Sequence, residues 1–415
     1  MIGEIIAIGD ELTSGRILNS TSQFAAYHLF AQGHEVVAMS TIGDSPELIG
    51  AAVRKALDRA DFVIVTGGLG PTSDDLTNEA VSSALGRPST FHPEVLSQIE
   101  MFLAGRKKDA RDIKLEKMAW LPAGAEVLKP EANMAGYLLV HDRKPIFILP
   151  GVPDEMRELL KDVVLPKLAA FKGQEKRHVH RQLYHIFGIP ETEVNRRLKH
   201  FENDNSQVRI GYYPVYPEVH LSLTVLGGDK KETLALFEIF DRQINEAVGE
   251  YIYNSGEETM AELVGAMLKR QKKSLAVAES CTGGLLSHQI TSVAGSSDYF
   301  IGGVTAYSNQ LKSSLLQVDS QIIERYGAVS AETAKAMAKG VQQICGADVA
   351  ISVTGIAGPG GGTEEKPVGT VYFALAAGNK IYDYLFNFSG KRDMIQIIAA
   401  YTGLDLLRRK LLEEK

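Results

Sequence analysis

Apolar positions in the first 150 residues fall in short continuous runs, and helical spacing fills the stretches between them. Ile5-Ile6-Ala7-Ile8, Glu35-Val36-Val37-Ala38, Phe62-Val63-Ile64-Val65 and Pro145-Ile146-Phe147-Ile148-Leu149 read as strands, with helices over 20–32 and 46–59. This alternation predicts a parallel sheet with helices on both faces. The pattern changes near residue 175. Arg177 to Tyr184 and Glu218 to Val225 alternate with period two, as half-exposed strands do, and a helix over about 230–248 follows. A small α+β module over 175–252 is expected. His178 and His180 share one face of its first strand, where a metal pair competes with the ordinary reading of solvated histidines. The polar break Asn254-Ser255-Gly256-Glu257-Glu258 opens a second α/β pattern. It runs helix 258–270, strand 274–279, helix 283–291, strand 301–307, helix 331–345 and strand 347–353. Hairpin strands over 369–376 and 380–388 and a closing helix complete it. The expected divisions are 1–172, 175–252 and 255–415.

At 415 residues the chain exceeds one ordinary core, in keeping with these divisions. No apolar run approaches the ~18 residues of a spanning helix, and MIGEIIAIGDEL lacks the basic start of a signal peptide. The two cysteines, Cys281 and Cys345, exclude a disulfide framework and a cysteine zinc site. A cytoplasmic protein without membrane attachment is expected. Residues 251–415 carry 16 basic and 16 acidic side chains, so the net charge of −7 sits in 1–250. Neither half has the basic footprint of a nucleic-acid binder.

Ligands of parallel sheets bind beyond the carboxyl ends of the strands, and the unusual sequences fall there. Gly67-Gly68-Leu69-Gly70-Pro71-Thr72-Ser73-Asp74-Asp75 follows the third strand. Glycines let backbone N–H groups approach an anion, and adjacent carboxylates facing a phosphate need a divalent cation between them. The plainer reading is a glycine turn followed by acidic residues that favour a helix start. Gly9-Asp10-Glu11 and Pro150-Gly151-Val152-Pro153 join the same end of the sheet and favour the ligand site.

In the last segment, Ala278-Glu279-Ser280-Cys281-Thr282-Gly283-Gly284 joins a buried strand to a helix. Ser280 reads either as a nucleophile or as a helix cap. As a nucleophile it would have Lys312 for a base, once burial lowers that pKa, and the N–H groups of Cys281 through Gly284 as an oxyanion site. Tyr307 precedes Lys312 by five residues. Thr354-Gly355-Ile356-Ala357-Gly358-Pro359-Gly360-Gly361-Gly362-Thr363 follows another strand and suits a phosphate nest or an ordinary long turn. Arg392 adds a cation for an anionic substrate.

The motifs GDELTSG, GGLGPTSDD and LPGVPDEM resemble the molybdopterin-binding fold shared by molybdenum-cofactor enzymes and the N-terminal domain of the CinA family. The resemblance implies a metal-dependent ADP-ribose pyrophosphatase that yields AMP and ribose 5-phosphate. Gly67, Gly68, Gly70 and Thr72 would then hold the pyrophosphate. Asp74 and Asp75, with Glu11 and Glu155, would serve a divalent metal, Mg²⁺ or Co²⁺. Where many members carry N-x-x-G-T-A-P-G, this chain reads Lys129-Pro130-Glu131-Ala132-Asn133-Met134-Ala135-Gly136. AESCTGG, GGVTAYSNQLK, YGAVSAETA, VTGIAGPGGGTEEKPVGTVYFA and SGKRD resemble the nicotinamide-nucleotide amidase that forms the C-terminal domain of the same family. That implies hydrolysis of nicotinamide mononucleotide to nicotinate mononucleotide and ammonia, with no cofactor. By this resemblance Ser280 is the nucleophile, acting with Tyr307 and Lys312. Thr282, Gly283, Thr354, Gly355, Gly358, Gly360 and Arg392 bind substrate. Where relatives often add a second arginine, this chain has Ile395 and Gln396.

The middle segment resembles the family's KH-like domain but lacks a GXXG clamp, since Gly188-Ile189-Pro190-Glu191 has no second glycine. The expected fold is therefore α/β: a parallel-sheet molybdopterin-binding-like domain, a KH-like α+β module and an α/β amidase domain. A homodimer acting on small nucleotides is the expected form. The competing readings are a non-catalytic recruitment protein linked to competence or DNA damage, and a molybdopterin-handling N-terminal domain.

Overall fold

The computed structural model describes residues 1–105, 115–129, 136–172, 178–201, 207–256 and 258–413. Of the segment 129–136 quoted above, residues 130–135 lie outside the described residues, as does Arg177. The described residues form two compact units: Met1–Arg181 with Val225–Leu236, and Gln182–Thr224 with Phe237–Lys415.

The first unit is built on a six-stranded sheet in the order Glu35–Ile42, Ile2–Ile8, Phe62–Thr66, Lys144–Leu149, Tyr137–His141, Glu126–Val127. Continuous apolar runs fit here because both faces are covered. Ile6, Ile8, Val63, Val65, Ile146 and Ile148 point into one core with Ile49, Val53 and Ala56 of helix Pro46–Arg59. Ile5, Ile64, Phe62 and Phe147 point into the other with Ala25 and Leu29 of helix Ser20–Ala31. The first four strands are parallel, as expected, but Tyr137–His141 pairs antiparallel with Lys144–Leu149, and Glu126–Val127 antiparallel with Tyr137–His141. The reason is local. Asp142 and Arg143 both take positive φ (48° and 64°) between the paired residues His141 and Lys144, which makes a two-residue hairpin turn. Asp-Arg is a weak signal for such a turn, so the sequence pattern showed only a parallel sheet.

A four-stranded sheet, Val208–Val215, Glu218–Gly227, His178–Ile186, Ile252–Asn254, forms the α+β module with helices Glu191–Leu198 and Lys230–Val248. Its second strand is not half-exposed as the alternation suggested. Leu221 and Leu223 are buried, and so are Glu218, Ser222 and Thr224 on the alternate face. A strand paired on both edges and covered on both faces can still alternate in polarity.

The last sheet runs Phe300–Thr305, Leu275–Glu279, Val349–Gly355, Thr370–Ala377, Lys380–Asn387. The first three strands are parallel and the last two form the expected hairpin. One face packs large side chains, Val277, Ile351 and Val353, with Leu404 and Leu407 of helix Arg392–Glu413. The other face is alanine-rich, Ala276, Ala278, Ala350, Ala374 and Ala376, under helix Ala331–Cys345. Small side chains let that helix approach closely. A Cβ on its Gly340 would stand 1.9 Å from the Leu316 carbonyl oxygen. Two short helices, Asn309–Ser314 and Ser320–Tyr326, lie in a stretch where the sequence pattern gave none. No described helix is long and apolar enough to cross a membrane.

Candidate functional site

In the first unit, the turns after Ile2–Ile8, Phe62–Thr66 and Lys144–Leu149 converge on a cavity of about 490 Å³. Gly67, Gly68 and Gly70 line it, as do Glu11, Asp74, Asp75 and Glu155. Thr72 does not line it. Its N–H (2.9 Å) and its hydroxyl both donate to Asp75 Oδ2, while Lys117 Nζ donates to the Thr72 carbonyl at 3.0 Å. Thr72 therefore braces Asp75.

Sequence reasoning missed Asp44. It sits at the cavity wall, 34 residues from Asp10, and the two exchange bonds: Asp10 N–H donates to Asp44 Oδ2 at 2.8 Å, and Asp44 N–H to Asp10 Oδ1 at 3.2 Å. Burial pushes the Asp44 carboxyl up; the Asp10 N–H opposes this, and the charges of Asp10, Glu11 and Asp74 add to the rise. Mutual repulsion among carboxylates at one cavity is relieved by a cation, and an all-oxygen donor set suits a hard divalent one. No local sequence signal marks Asp44, because the contact is made across two strands.

Gly67 sets the approach of the loop. Its φ is +103°, and an added Cβ would lie 2.2 Å from the Ile8 carbonyl oxygen. Gly67→Ala is expected to destabilise this unit by at least ~1–3 kcal/mol, from the left-handed conformation alone. Urea denaturation followed by circular dichroism measures it, and an unchanged midpoint would contradict the clash.

In the second unit, Ser280 and Lys312 meet. Lys312 Nζ lies 3.0 Å from Ser280 Oγ, 2.9 Å from the Ala306 carbonyl and 3.4 Å from the Tyr307 carbonyl. Lys312 is only 1% exposed, on the short helix Asn309–Ser314 that the sequence pattern omitted. Burial lowers its pKa, against a small opposing influence of Cys281. Ser280 is not the cap of the helix that follows. The chain makes a turn first, and the helix runs Leu285–Thr291, two residues later than expected, with Gly284 at φ +102° before it.

Glu279, fully buried, explains the turn. Its carboxylate accepts from Gly284 N–H (3.0 Å), Leu286 N–H (3.1 Å), Ser287 N–H (2.8 Å) and Ser287 Oγ (2.6 Å). The helix start is thus neutralised internally. Gly283 N–H donates to the Ser280 carbonyl at 3.1 Å. The oxyanion donors expected from Cys281 through Gly284 accordingly narrow to Cys281 and Thr282, whose N–H groups take no carbonyl or carboxylate partner among the described residues and lie against the Cys281 sulfur. The Thr282 hydroxyl is buried beside them without a partner. Burial pushes the Cys281 thiol up to about 12, so it stays protonated at neutral pH.

Tyr307 does not stand between Ser280 and Lys312. Its phenol is exposed and accepts from Arg392 Nη2 at 2.9 Å, while Arg392 Nη1 donates to the Gly358 carbonyl at 2.8 Å. Arg392 so ties the glycine loop to the Tyr307 side of the site. Gln396 donates to the Cys281 carbonyl at 2.8 Å and so supports the Ser280 turn. Thr354 is buried and donates to the Ala328 carbonyl at 2.7 Å, so its hydroxyl hydrogen is already used. A Cβ on Gly355 would meet Val371 and the Thr370 carbonyl, whereas Gly360 borders open space.

Residues 257–411 match the CinA C-terminal domain, 181–254 the damage-inducible protein CinA KH domain, and 4–170 a probable molybdopterin binding domain. A CinA-like protein of Desulfotalea psychrophila is 51% identical over 411 residues, 99% of either chain. A CinA-like protein of Syntrophomonas wolfei is 40% identical over 408 residues, 98% of either chain. A crystal structure of a competence-damaged protein (CinA) superfamily member from Klebsiella pneumoniae is 31% identical, covering 38% of this chain and 99% of its own, with a TM-score of 0.36. Three domains in the same order and end-to-end relatives carrying that name establish that the chain belongs to the CinA family.

Proposed function

We propose that the chain is a hydrolase with two sites, a serine–lysine amidase in the C-terminal domain and a metal-assisted ADP-ribose pyrophosphatase in the N-terminal domain. The observation that carries the reading is the buried Lys312 Nζ 3.0 Å from Ser280 Oγ. Burying a charged lysine against a serine and two carbonyls is costly, and that cost favours the neutral amine, the form able to take a proton from Ser280.

For the amidase, neutral Lys312 accepts the Ser280 proton as Oγ attacks the amide carbon of nicotinamide mononucleotide. The N–H groups of Cys281 and Thr282 face the developing oxyanion, and Lys312 returns the proton to the departing ammonia. Water then enters by the same base and releases nicotinate mononucleotide. Arg392 and the backbone of the Gly358–Gly360 loop meet the phosphate. The Thr282 hydroxyl supplies a buried hydrogen-bonding group to the substrate.

For the pyrophosphatase, Asp74, Asp75, Glu11 and Glu155, joined by Asp44, would hold the divalent cation, Mg²⁺ or Co²⁺. When bound, such an ion offsets the negative charge of a diphosphate. The chain's own part is to bring Gly67, Gly68 and Gly70 up to the phosphates and to fix Asp75 through Thr72. Asp74→Asn is expected to lower ADP-ribose turnover by roughly 10²-fold or more, with ammonia release intact. Asp75→Asn should act both on turnover and on the loop it braces. Undiminished ADP-ribose cleavage in the double variant would remove these residues from the site.

The experiment that tests the whole reading incubates the full chain with nicotinamide mononucleotide and, separately, with ADP-ribose and Mg²⁺ or Co²⁺. Ammonia in the first and AMP in the second are expected. A folded chain that releases neither overturns it.

A further inference from the structure

His185, Glu218 and His220 converge inside the small sheet of the second unit. Their ligand atoms all lie within 4.8 Å of one another. His220 Nε2 is 3.0 Å from Glu218 Oε2, and His185 Nδ1 is 3.7 Å from the same oxygen. Zinc binds nitrogen and carboxylate oxygen at about 2.0–2.2 Å, which in a tetrahedron separates neighbouring ligand atoms by about 3.3–3.5 Å. The two observed spacings bracket that value. The imidazole rings are tilted by 56° with centroids 4.2 Å apart, so they converge on the carboxylate without lying face to face.

The surroundings favour an ion. Glu218 is 7% exposed, and its ion-pair partners among the described residues are these two imidazoles, with no lysine or arginine. A buried carboxylate needs a positive partner, which here is either a proton on an imidazole or a cation shared by the three groups. Its second oxygen is already engaged: Tyr253 donates to Glu218 Oε1 at 2.8 Å. A phenol that fixes the far oxygen of a ligating carboxylate is the kind of outer support that metal sites use. The Tyr253 oxygen is also 3.3 Å from His185 Nδ1.

We propose that His185 Nδ1, Glu218 Oε2 and His220 Nε2 form a zinc site, with its fourth position beside Tyr253. Two nitrogens and one carboxylate suit Zn²⁺ and set the site apart from the all-oxygen cavity of the first unit. The ion is a clasp. Glu218 and His220 lie on one strand, His185 on its neighbour, and Tyr253 on the next. Tyr253 and Phe187 belong to the large apolar core of the C-terminal sheet, where Phe187 packs at 6.1 Å from Tyr401. Binding would tie the small sheet to that core.

The test uses the full, tag-free chain carrying Asp74→Asn and Asp75→Asn, so that the acidic cavity does not compete. After chelation and dialysis against Zn²⁺, one zinc per chain is expected, with a rise in thermal midpoint. Co²⁺ in its place should give the strong visible absorption of four-coordinate nitrogen-containing sites. His185→Asn or His220→Asn should abolish the zinc, the absorption and the rise. If those variants fail to fold, X-ray absorption of zinc on the parent chain decides: imidazole scattering supports the site, and an oxygen-only shell overturns it. A folded parent chain that retains no zinc, or folded histidine variants that keep it, overturns it equally. In those cases the trio is a hydrogen-bonded network.

Discussion

Ser280→Ala is expected to lower ammonia release from nicotinamide mononucleotide by roughly three to six orders of magnitude, the scale of removing a nucleophile that acts with its base. The fold should persist. Ser280 N–H remains bonded to the Val353 carbonyl at 2.9 Å, and Lys312 keeps the Ala306 and Tyr307 carbonyls. The loss of one hydroxyl bond costs about 1 kcal/mol. Substrate should still bind, because Arg392 and its bond to the Gly358 carbonyl are untouched. The neighbouring thiol gives the control. Cys281→Ala should be mild, since a thiol raised to about 12 offers almost no thiolate at neutral pH. Measured side by side, a dead Cys281→Ala and an active Ser280→Ala would shift the nucleophile by one residue and end this mechanism.

Lys312→Met should cost roughly 10²–10⁴-fold in kcat, the range for a general base, and should also change the shape of the pH profile. The base is the neutral amine. Burial lowers its pKa, so kcat/KM for the parent chain should climb with pH and level off below the ordinary lysine value of about 10.4. Lys312→Met should lose that rising limb. Lys312→Arg keeps a cation there but cannot give up its proton, so it should be as slow as the methionine variant. An arginine variant with near-parent turnover would mean that charge alone is needed, and the proton-transfer role would fall.

What the residues disclosed and what they withheld follow one physical division. Strand positions such as Phe62–Val65 and Leu275–Val277 were legible because burial on both faces leaves an unbroken apolar run. The C-terminal hairpin was legible from its two apolar runs about a short polar turn. Ser280, Lys312, Tyr307 and Arg392 could be named from motifs, but the 3.0 Å contact and the separate pairing of Tyr307 with Arg392 needed coordinates. Asp44 and Glu279 were hidden for a different reason. Their roles consist of contacts with Asp10, or with four donors in the following turn, and a lone carboxylate in sequence does not say which way it points. The antiparallel edge escaped because Asp142-Arg143 makes its turn without glycine or asparagine. The His185, Glu218 and His220 trio escaped because it joins strands more than thirty residues apart, while His178 and His180 offered a nearer pair.

The close seat of Gly340 on the Leu316 carbonyl has a bearing on how such a protein can vary. Leu316 follows Lys312 by four residues, and the chain just beyond it folds back so that Val318 N–H donates to the Lys312 carbonyl at 3.1 Å. The base is therefore located by the fit of a helix against a main-chain segment on the side of the sheet away from the large core. A Cβ at 340 would overlap that segment, 1.9 Å from the Leu316 carbonyl oxygen, so any side chain there must displace either the helix or the segment. Sequence drift in the helix 331–345 and the placing of the Lys312 amine are then not separate matters. A substitution at 340 is tolerated only with a matching shift of the main chain at Leu316, so two regions separated along the chain are tied to vary together or not at all.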